Sequence, residues 1–525
     1  MRADAPKSRE KVLVAQLARF GDFLQTTPLL RAIKHGDPEA ELWVMVDAAQ
    51  AGLASGNPDV DRVLAVDLPR LERTALSARL PVREKIEHLQ RLLGNLAGLH
   101  FDRLINLNTS GVAALLCELP KAERREGPRL APDRRHLITA PWAGLVLNLM
   151  SRRRLIRFNL VDLLASYAGP GGRVSDGLVY PLREREVQSA VERLGPARGR
   201  PLVGFQVGSR HPARQWPPAY FAHLADFLKE ELKARIVLLG ATAERLLGRA
   251  VIEAMAPNPG GRDGVLDLMG RTSLEELAGV LSRLDLVVTA DTGTMHLAAA
   301  VGAPLLALFM GPAFCHETGP YGRGHVVLQG RLDCSPCTED RPSCTDHACR
   351  WLITPAAVFR TARWILLDRE GRPPSERELG PGVELLVSDL DRFGVVYRPR
   401  LWTPLSRTEV LALAYREAGR GLMRPSYLLD AGEIAEELAG YRSKREVDLS
   451  ELEENLARGA GLAGDPDLEP FRKTTAGLAA RGEAQAAKRF RRDMAFFLEA
   501  AGQAAGRGPW RARAGQAGAT GRTWV

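Results

Sequence analysis

The stretch that decides the fold is Leu284 to Pro312, which reads LDLVVTADTGTMHLAAAVGAPLLALFMGP. Its first apolar run, residues 286–288, is typical of a parallel strand that is buried on both faces. The chain then turns through residues 291–294 into an apolar helix over 295–301, and a second strand is predicted at 305–309. A glycine-bearing turn before a helix presents backbone N–H groups at the positive end of the helix dipole, where phosphate binds well. An ordinary turn whose aspartate only caps the helix is the alternative.

Length, composition and charge limit the number of domains, the class of protein and the kinds of partner that this sequence can have. A chain of 525 residues should hold two or three domains, and 45% hydrophobic with 26% charged residues is an ordinary globular composition. The formal net charge of +9 favours acidic partners, such as nucleotides, phosphorylated lipid or an anionic membrane surface. Since no basic and aromatic RNA or DNA motif accompanies this charge, we expect no nucleic-acid partner.

The first ten residues are polar and lack the apolar core of a signal peptide. No run reaches the roughly 18 uncharged apolar residues that a spanning helix needs. We therefore expect a cytoplasmic protein. In that compartment the six cysteines are unlikely to form structural disulfides.

A first α/β series occupies the N-terminal part of the chain. Its strands are predicted by apolar runs at 11–17, 42–46, 62–66 and 101–106. Gly21 and Asp22 follow the first strand, at the end of the sheet where open α/β folds bind ligands. A helix is predicted from Thr27, with Pro28 in its first turn. Asp22 is then either a ligand-facing carboxylate or the cap of that helix.

An apolar segment at residues 137–150 ends against Ser151-Arg152-Arg153-Arg154. An apolar helix face flanked by arginines is able to rest on an anionic membrane surface. A buried helix that closes a domain is the alternative, which we favour slightly.

A second α/β series begins at Pro201, with strands predicted at 202–207, 235–239, 286–289 and 305–309. Two such series indicate two Rossmann-like domains that face a cleft. Neither first strand is followed by GxGxxG, which disfavours a dinucleotide oxidoreductase. We predict six segments in order: a polar N-terminal segment 1–10, a first Rossmann-like domain 11–175, a linker 176–200, a second domain 201–370, a mainly helical extension 375–505 and a disordered tail 506–525.

Three blocks together resemble glycosyltransferase family 9, the ADP-heptose heptosyltransferases: RFGDFLQTTPLLRAIK, VGSRHPARQWPPAYFAHLADFL and VVTADTGTMHLAAAVGAPLLALF. The similarity spans roughly residues 11 to 365 and keeps the family's order. The resemblance implies a GT-B architecture and sugar transfer with inversion, without a cofactor. It also implies an ADP-sugar donor, a lipopolysaccharide core acceptor, and peripheral association with the cytoplasmic face of the inner membrane.

The resemblance also assigns roles to individual residues. Asp22 of the GD motif would be the catalytic base, and Arg214 stands where the family usually has a phosphate-contacting lysine. Glu244 would hold the ribose, and Thr272 would lie in the loop that borders the adenine. The diphosphate and sugar pocket would be shaped by five residues of the third block: Asp291, Thr292, Gly293, Thr294 and His296. A structural histidine is the alternative for the last of these.

Four cysteines in a loop of the second domain have the spacing C-x2-C-x6-C-x4-C, at Cys334, Cys337, Cys344 and Cys349. This density predicts a structural zinc or iron site, with free thiols as the alternative. A cysteine-bearing branch of related transferases modifies proteins and carries an iron-binding finger, which raises a protein acceptor as a rival hypothesis. Cys117 and Cys315 are interpreted as isolated core or loop thiols.

We therefore predict a glycosyltransferase that moves heptose, or a related sugar, onto a lipopolysaccharide core. The two rival hypotheses are a protein heptosyltransferase and a non-catalytic scaffold of the same fold. The helical extension is a candidate surface for forming a homo-oligomer.

Overall fold

The computed structural model describes residues 9–130, 136–138, 141–169, 177–196, 199–256, 264–338, 344–391, 393–401, 406–423, 467–480 and 484–504. The chain divides into two compact units. The first comprises Met1–Thr139 and Asn159–Leu401, and the second comprises Ala140–Phe158 and Trp402–Val525. The predicted disordered tail, 506–525, lies outside the described residues.

The N-terminal half of the first unit is built on a five-stranded parallel sheet in the order β3-β2-β1-β4-β5. Its strands are β1 (Lys11–Gln16), β2 (Glu41–Asp47), β3 (Arg62–Val66), β4 (His100–Asn106) and β5 (Lys121–Glu126), followed by the short hairpin β6 (Pro128–Leu130) and β7 (His136–Ile138). The connecting helices are α1 (Phe20–Gly36), α2 (Ala51–Ser55), α3 (Leu68–Leu76), α4 (Val82–Ala97) and α5 (Gly111–Glu118).

The C-terminal half of the first unit is built on an eight-stranded sheet. Its strands in sheet order are β10 (Val265–Asp267), β9 (Arg235–Leu239), β8 (Leu202–Gln206), β11 (Leu286–Ala290), β12 (Leu305–Phe309), β13 (Val326–Gly330), β14 (Val383–Leu390) and β15 (Val395–Pro399). The first six are parallel, and the last two are antiparallel.

The first unit contains further helices beyond α5. They are α7 (Leu160–Ala165), α8 (Glu184–Leu194), α9 (Pro218–Leu232), α10 (Arg245–Ala254), α11 (Leu274–Leu281), α12 (Gly293–Ala300), α13 (Cys315–Thr318), α14 (Cys349–Leu352), α15 (Pro355–Leu367) and α16 (Glu376–Leu379). The α11 helix begins with a capping box, since the Ser273 N–H donates to Glu276 Oε2 at 2.8 Å and the Glu276 N–H donates to Ser273 Oγ at 3.2 Å.

Every strand predicted from an apolar run is present, with each end within one residue of its predicted position. The central strands β8, β11 and β12 are buried along their whole length. Their side chains join Trp216, Phe221 and the apolar face of α9 and α15 in one core. Continuous apolar strands therefore mark the middle of each sheet, as covered parallel sheets require.

Two segments differ from their predicted structure. Residues 383–399, assigned to the helical extension, form the antiparallel strands β14 and β15. Val383 and Leu385 are buried in the core of the second sheet, and this burial outweighs their helical pattern. The predicted linker contains α8, whose backbone packs on α11 at Gly279, where a Cβ would lie 2.1 Å from the Glu186 carbonyl oxygen.

The second unit is helical in its described part. It contains α6 (Pro141–Leu149), α17 (Arg407–Met423), α18 (Glu469–Ala480), α19 (Ala484–Ala504) and a 3₁₀ segment at Met150–Leu155. In α6, Leu145 and Leu149 are buried, and the Asn148 amide donates to Thr474 Oγ1 at 2.9 Å. This apolar segment is therefore a packed helix of the unit, as the favoured alternative predicted.

Among the described residues, no helix combines the length and the apolar character needed to cross a membrane.

Candidate active site

The first turn of α1 carries the GD motif. The helix begins at Phe20, and the Arg19 N–H donates to Asp22 Oδ2 at 3.0 Å, so Asp22 does cap the helix. Capping leaves its second carboxylate oxygen available for other partners. Burial of the carboxyl raises the pKa of Asp22 above its usual value, and a backbone hydrogen bond partly offsets this rise.

The predicted start of this helix was wrong. The sequence placed Pro28 in a first turn that began near Thr27, but Pro28 lies inside α1, well past its start. Proline lacks an N–H, so the carbonyl of Leu24 loses its usual helical donor. The Thr27 hydroxyl donates to that carbonyl at 2.7 Å and replaces the missing bond. The helix therefore tolerates the proline and reaches back to the GD motif.

The turn between β11 and α12 has the predicted form. Thr292 is the N-cap of α12, and its hydroxyl accepts the Met295 N–H at 3.4 Å. Because Thr292 closes the turn, the helix starts at Gly293, two residues before the predicted start at Met295. Gly293 and Thr294 thus form its first turn, where the N–H groups have no partner within the helix.

Asp291 lies directly before this cap and is buried. Its Oδ2 atom accepts two hydrogen bonds, from Arg214 Nη1 at 2.8 Å and from the Thr318 hydroxyl at 3.1 Å. Burial raises the pKa of Asp291 to about 6, and the nearby carboxylates of Glu317 and Asp22 add to the rise. The Arg214 charge and the Thr318 hydrogen bond oppose it without cancelling it.

The two loops meet through two glycines. A Cβ on Gly21 would lie 2.9 Å from Gly293 Cα and 3.4 Å from His296 Cδ2. A Cβ on Gly293 would lie 2.4 Å from the Phe20 ring. Only residues without a side chain permit this approach. The structure therefore brings Asp22 close to the Asp291–Thr294 turn.

His296 is buried in α12, and its Nδ1 atom has no hydrogen-bond partner among the described residues. Burial lowers its pKa to about 4, so the imidazole is neutral at ordinary pH. A neutral ring with an unused nitrogen beside Gly21 is able to donate to or accept from a polar group in the cleft.

Arg214 is held in a short 3₁₀ turn, Pro212–Arg214, by the residues after it. Trp216 is fully buried, and its indole N–H donates to the Ile353 carbonyl at 2.8 Å. The Arg350 Nε donates to the Gln215 carbonyl at 2.6 Å. Gln215 and Trp216 therefore anchor the Arg214 turn to the segment that contains Arg350 and Ile353.

Two predicted nucleoside residues lie at the carboxyl ends of neighbouring strands. Glu244 accepts the Ala241 N–H at 2.8 Å, and its carboxylate fills the space beside Gly208, where a Cβ would lie 2.0 Å from the carboxylate carbon. Thr272 is half-buried in the turn before α11. Among the described residues, no hydrogen bond joins either of them to Arg214 or Asp291.

Thr318 was not predicted from the sequence. This residue lies at the end of the four-residue helix α13 and contacts Asp291 from 27 positions further along the chain. No local motif marks it, because a single threonine beside a glycine is common in turns.

The predicted metal site is not supported. Within the described ranges, which include all four cysteines of the loop, no group of three or more His, Cys, Asp or Glu side chains is placed to hold a metal ion. Cys349 is buried beside Gly311, whereas Cys334 is exposed. Burial and the other three cysteines raise the pKa of Cys349 to about 11. Cys117 and Cys315 are buried free thiols, as predicted.

Comparisons with known proteins agree with the three blocks. Residues 89–346 match the family model for glycosyltransferase family 9 (heptosyltransferase). The chain is 28% identical over 329 residues to lipopolysaccharide heptosyltransferase 2 of Salmonella typhimurium, covering 61% of this chain and 88% of that protein. It is 28% identical over 370 residues to lipopolysaccharide heptosyltransferase 2 of Escherichia coli K12, covering 69% and 99%.

A solved structure shows the same fold. The glycosyltransferase family 9 protein of Veillonella parvula superposes with a TM-score of 0.54 at 23% identity, covering 68% of this chain and 98% of that one. With the matching family model, the two Rossmann-like sheets and the order of the three blocks, the chain is a family 9-like glycosyltransferase of GT-B architecture.

Proposed function

We propose that this enzyme transfers heptose, with inversion, from an ADP-heptose donor to a sugar of a lipopolysaccharide core. The main support for this proposal is the close contact between the turn that contains Gly21 and Asp22 and the turn at Asp291–Thr294. This contact brings the proposed base near the segment that we propose binds the donor. The named function of the two relatives, lipopolysaccharide heptosyltransferase, supports both the sugar and the acceptor.

In the proposed step, Asp22 takes the proton of the acceptor hydroxyl as its oxygen attacks the anomeric carbon of the heptose. The new C–O bond forms on the face opposite to the departing diphosphate, and the electrons of the broken bond pass to the diphosphate oxygen of ADP. A base whose pKa is raised towards the working pH accepts this proton more readily.

The leaving group needs positive charge. Arg214 supplies a guanidinium that is able to bind a phosphate with two parallel hydrogen bonds, where relatives usually have a lysine. The N–H groups of Gly293 and Thr294, in the first turn of α12, would supply donors at the positive end of the helix dipole. Both groups stabilise charge that grows as the sugar bond breaks.

The remaining polar residues complete the donor pocket. His296, neutral and with an unused Nδ1, would hydrogen-bond a hydroxyl of the heptose. Glu244 would accept the ribose hydroxyls, and Thr272 would border the adenine. With a lipid-linked acceptor, the enzyme would act at the cytoplasmic face of the inner membrane.

A donor and acceptor screen tests the proposal. Purified full-length protein would be incubated with ADP-heptose, ADP-glucose, UDP-glucose or GDP-mannose and with lipid-free core oligosaccharide that lacks heptose. We expect nucleotide release and a mass gain of one heptose only with the ADP-heptose donor, and NMR should show an anomeric configuration opposite to that of the donor. Transfer to a polypeptide alone, retention of configuration, or no ADP-heptose turnover would each contradict the proposal.

A further inference from the structure

A helical hairpin, α3 and α4, stands between β3 and β4 in the N-terminal half of the first unit. Along α4 an apolar stripe at helical spacing is formed by Val82, Ile86, Leu89, Leu93 and Leu96. Its last three members pack against the core of the first sheet. The first two continue the same stripe but are 71% and 50% exposed. The apolar face of the helix therefore extends beyond the sheet that covers it.

The end of α3 adds to this surface. Leu76, its last residue, is 82% exposed, the largest exposure among the large hydrophobic residues that the structure describes. Leu80, in the connection to α4, is half-buried. We call residues 73–86 the hairpin tip. Three large aliphatic side chains lie at this tip, and each is at least half exposed. A contiguous exposed apolar patch of this kind is typical of an interaction surface.

The charges around the patch are mainly positive. The hairpin, residues 68–97, contains six arginines and lysines against three glutamates, an excess of three positive charges. Arg83 pairs with Glu87 at 3.0 Å. In the part of the chain that the structure describes, no carboxylate lies within 4.0 Å of Arg73, Arg79 or Lys85. Apolar side chains surrounded by basic ones are complementary to an anionic lipid surface.

The hairpin tip also lies on the appropriate side of the sheet. The carboxyl ends of β1 and β3 share one edge, and these strands lead to Asp22 and to α3. The α4 helix has 16 residues and is about 24 Å long, and β4 has seven residues and is about 23 Å long. Because α4 leads back to the start of β4 and the two are about equally long, α4 begins near the carboxyl ends of the strands. The hairpin tip and Asp22 therefore lie towards the same end of the sheet.

We propose that the hairpin tip docks this enzyme on an anionic lipid surface. The aliphatic side chains enter the boundary between headgroups and acyl chains, and the arginines and lysine contact the lipid phosphates. The choice of lipid rests on the proposed function, since a lipid-linked acceptor would then be presented at the edge where Asp22 lies.

Flotation of the full-length protein with lipid vesicles tests the docking surface. Vesicles of phosphatidylcholine alone would be compared with vesicles that also contain phosphatidylglycerol, at low and high salt. One variant removes the aliphatic groups (Leu76→Ser, Val82→Ser, Ile86→Ser), and another removes the charges (Arg73→Gln, Arg79→Gln, Lys85→Gln). Matched controls change exposed residues elsewhere: Leu246→Ser with Leu367→Ser, and Arg249→Gln with Arg283→Gln.

We expect wild-type protein and both controls to bind the anionic vesicles and to be released by salt. Each hairpin variant should bind about tenfold more weakly or worse, because each basic residue and each buried methylene contributes to partitioning. Circular dichroism and thermal melting would show that the variants are folded. Transfer to lipid-free acceptor without vesicles should remain near the wild-type rate, which separates docking from the proposed chemistry.

Three results would overturn the docking surface. The hairpin variants would float like the wild type, or the wild type would bind neutral vesicles as well as anionic ones. Alternatively, the wild type would self-associate, and the aliphatic variant would abolish that association without changing vesicle binding. This last result would assign the patch to a second copy of the chain.

Discussion

Arg214 Nη1 lies 2.8 Å from Asp291 Oδ2, and the Thr318 hydroxyl donates to the same oxygen. A single carboxylate oxygen thus holds a guanidinium and a hydroxyl that come from segments far apart in the chain. The pair is partly desolvated, since the Asp291 side chain is 6% exposed and the Arg214 side chain is 28% exposed. The Arg214 guanidinium, which we propose binds the leaving diphosphate, is therefore oriented by the buried Asp291 carboxylate.

Replacement of Arg214 should weaken donor binding. Arg214→Ala removes a charge-assisted contact worth about 1.5–3 kcal/mol, so ADP affinity should fall by about tenfold or more. Arg214→Lys, the residue usual in relatives, should retain much of the affinity. Calorimetry with ADP measures both variants, and Arg249→Ala, an exposed arginine on α10, controls for the loss of one charge. Unchanged ADP affinity in Arg214→Ala would place the diphosphate elsewhere.

Replacement of Asp22 should separate chemistry from binding. Asp22→Asn keeps the shape and an oxygen that is able to accept the Arg19 N–H, but it is no longer a base. Turnover should drop by about 100-fold or more. ADP affinity, measured by calorimetry, should change little. If turnover stays near the wild-type rate, Asp22 serves only as the helix cap.

Eight strands of the two sheets could be predicted from the sequence, because most buried parallel strands appear as unbroken apolar runs. Strands such as β5 and β14 could not. The β5 strand reads KAERRE and has no buried residue, and β14 takes its place by pairing with β13 rather than by its own pattern. Pairing partners that lie far apart in sequence leave no local signal.

In the site, too, local features could be predicted from the sequence and tertiary contacts could not. The Asp291–Thr294 turn was predicted, because a turn, its glycine and its cap are local features. Thr318 was missed because its only link to the site is a tertiary contact. The metal site predicted at the cysteine loop is not supported by the described residues, since spacing alone does not show that four thiols converge on one point.

The pH dependence of ADP binding should report on Asp291. Its pKa of about 6 means that the carboxyl is charged above pH 6 and neutral below it. A negative charge near the diphosphate opposes ADP binding, so affinity should rise as the pH falls through 6. Thr318→Val removes a hydrogen bond that lowers this pKa, so the rise should begin at higher pH, by about one pH unit. Glu317→Gln removes a nearby negative charge and should shift it to lower pH.

Several charged or titratable groups face this carboxyl. They are Arg214, Asp22, Glu317 and Tyr397, and burial holds the pKa of the Tyr397 phenol far above the range tested. Thr318→Ser keeps the hydroxyl and should follow the wild-type profile, and comparison between variants cancels the ionisation of ADP itself. A Thr318→Val profile that does not move, or moves to lower pH, would show that another group titrates.

The contact between the two turns should be essential for transfer. In Gly293→Ala the new Cβ would lie 2.4 Å from the Phe20 ring, so the ring must move, and overpacking of this kind costs about 1–3 kcal/mol. Phe20 directly precedes Gly21 and Asp22, so its displacement should shift the proposed base and slow transfer by about tenfold or more. The double variant Gly293→Ala, Phe20→Ala relieves the clash and should be faster than Gly293→Ala alone.

Gly111→Ala is a matched control, because Gly111 also opens a helix but has no atom within 4 Å of its Cβ position. Transfer rates and ADP affinities would be compared for the wild type, the single variants Gly293→Ala and Phe20→Ala, the double variant and the control. If the effects of the two single variants simply add, the ring and the glycine act independently, and the donor turn does not position Asp22 through Phe20.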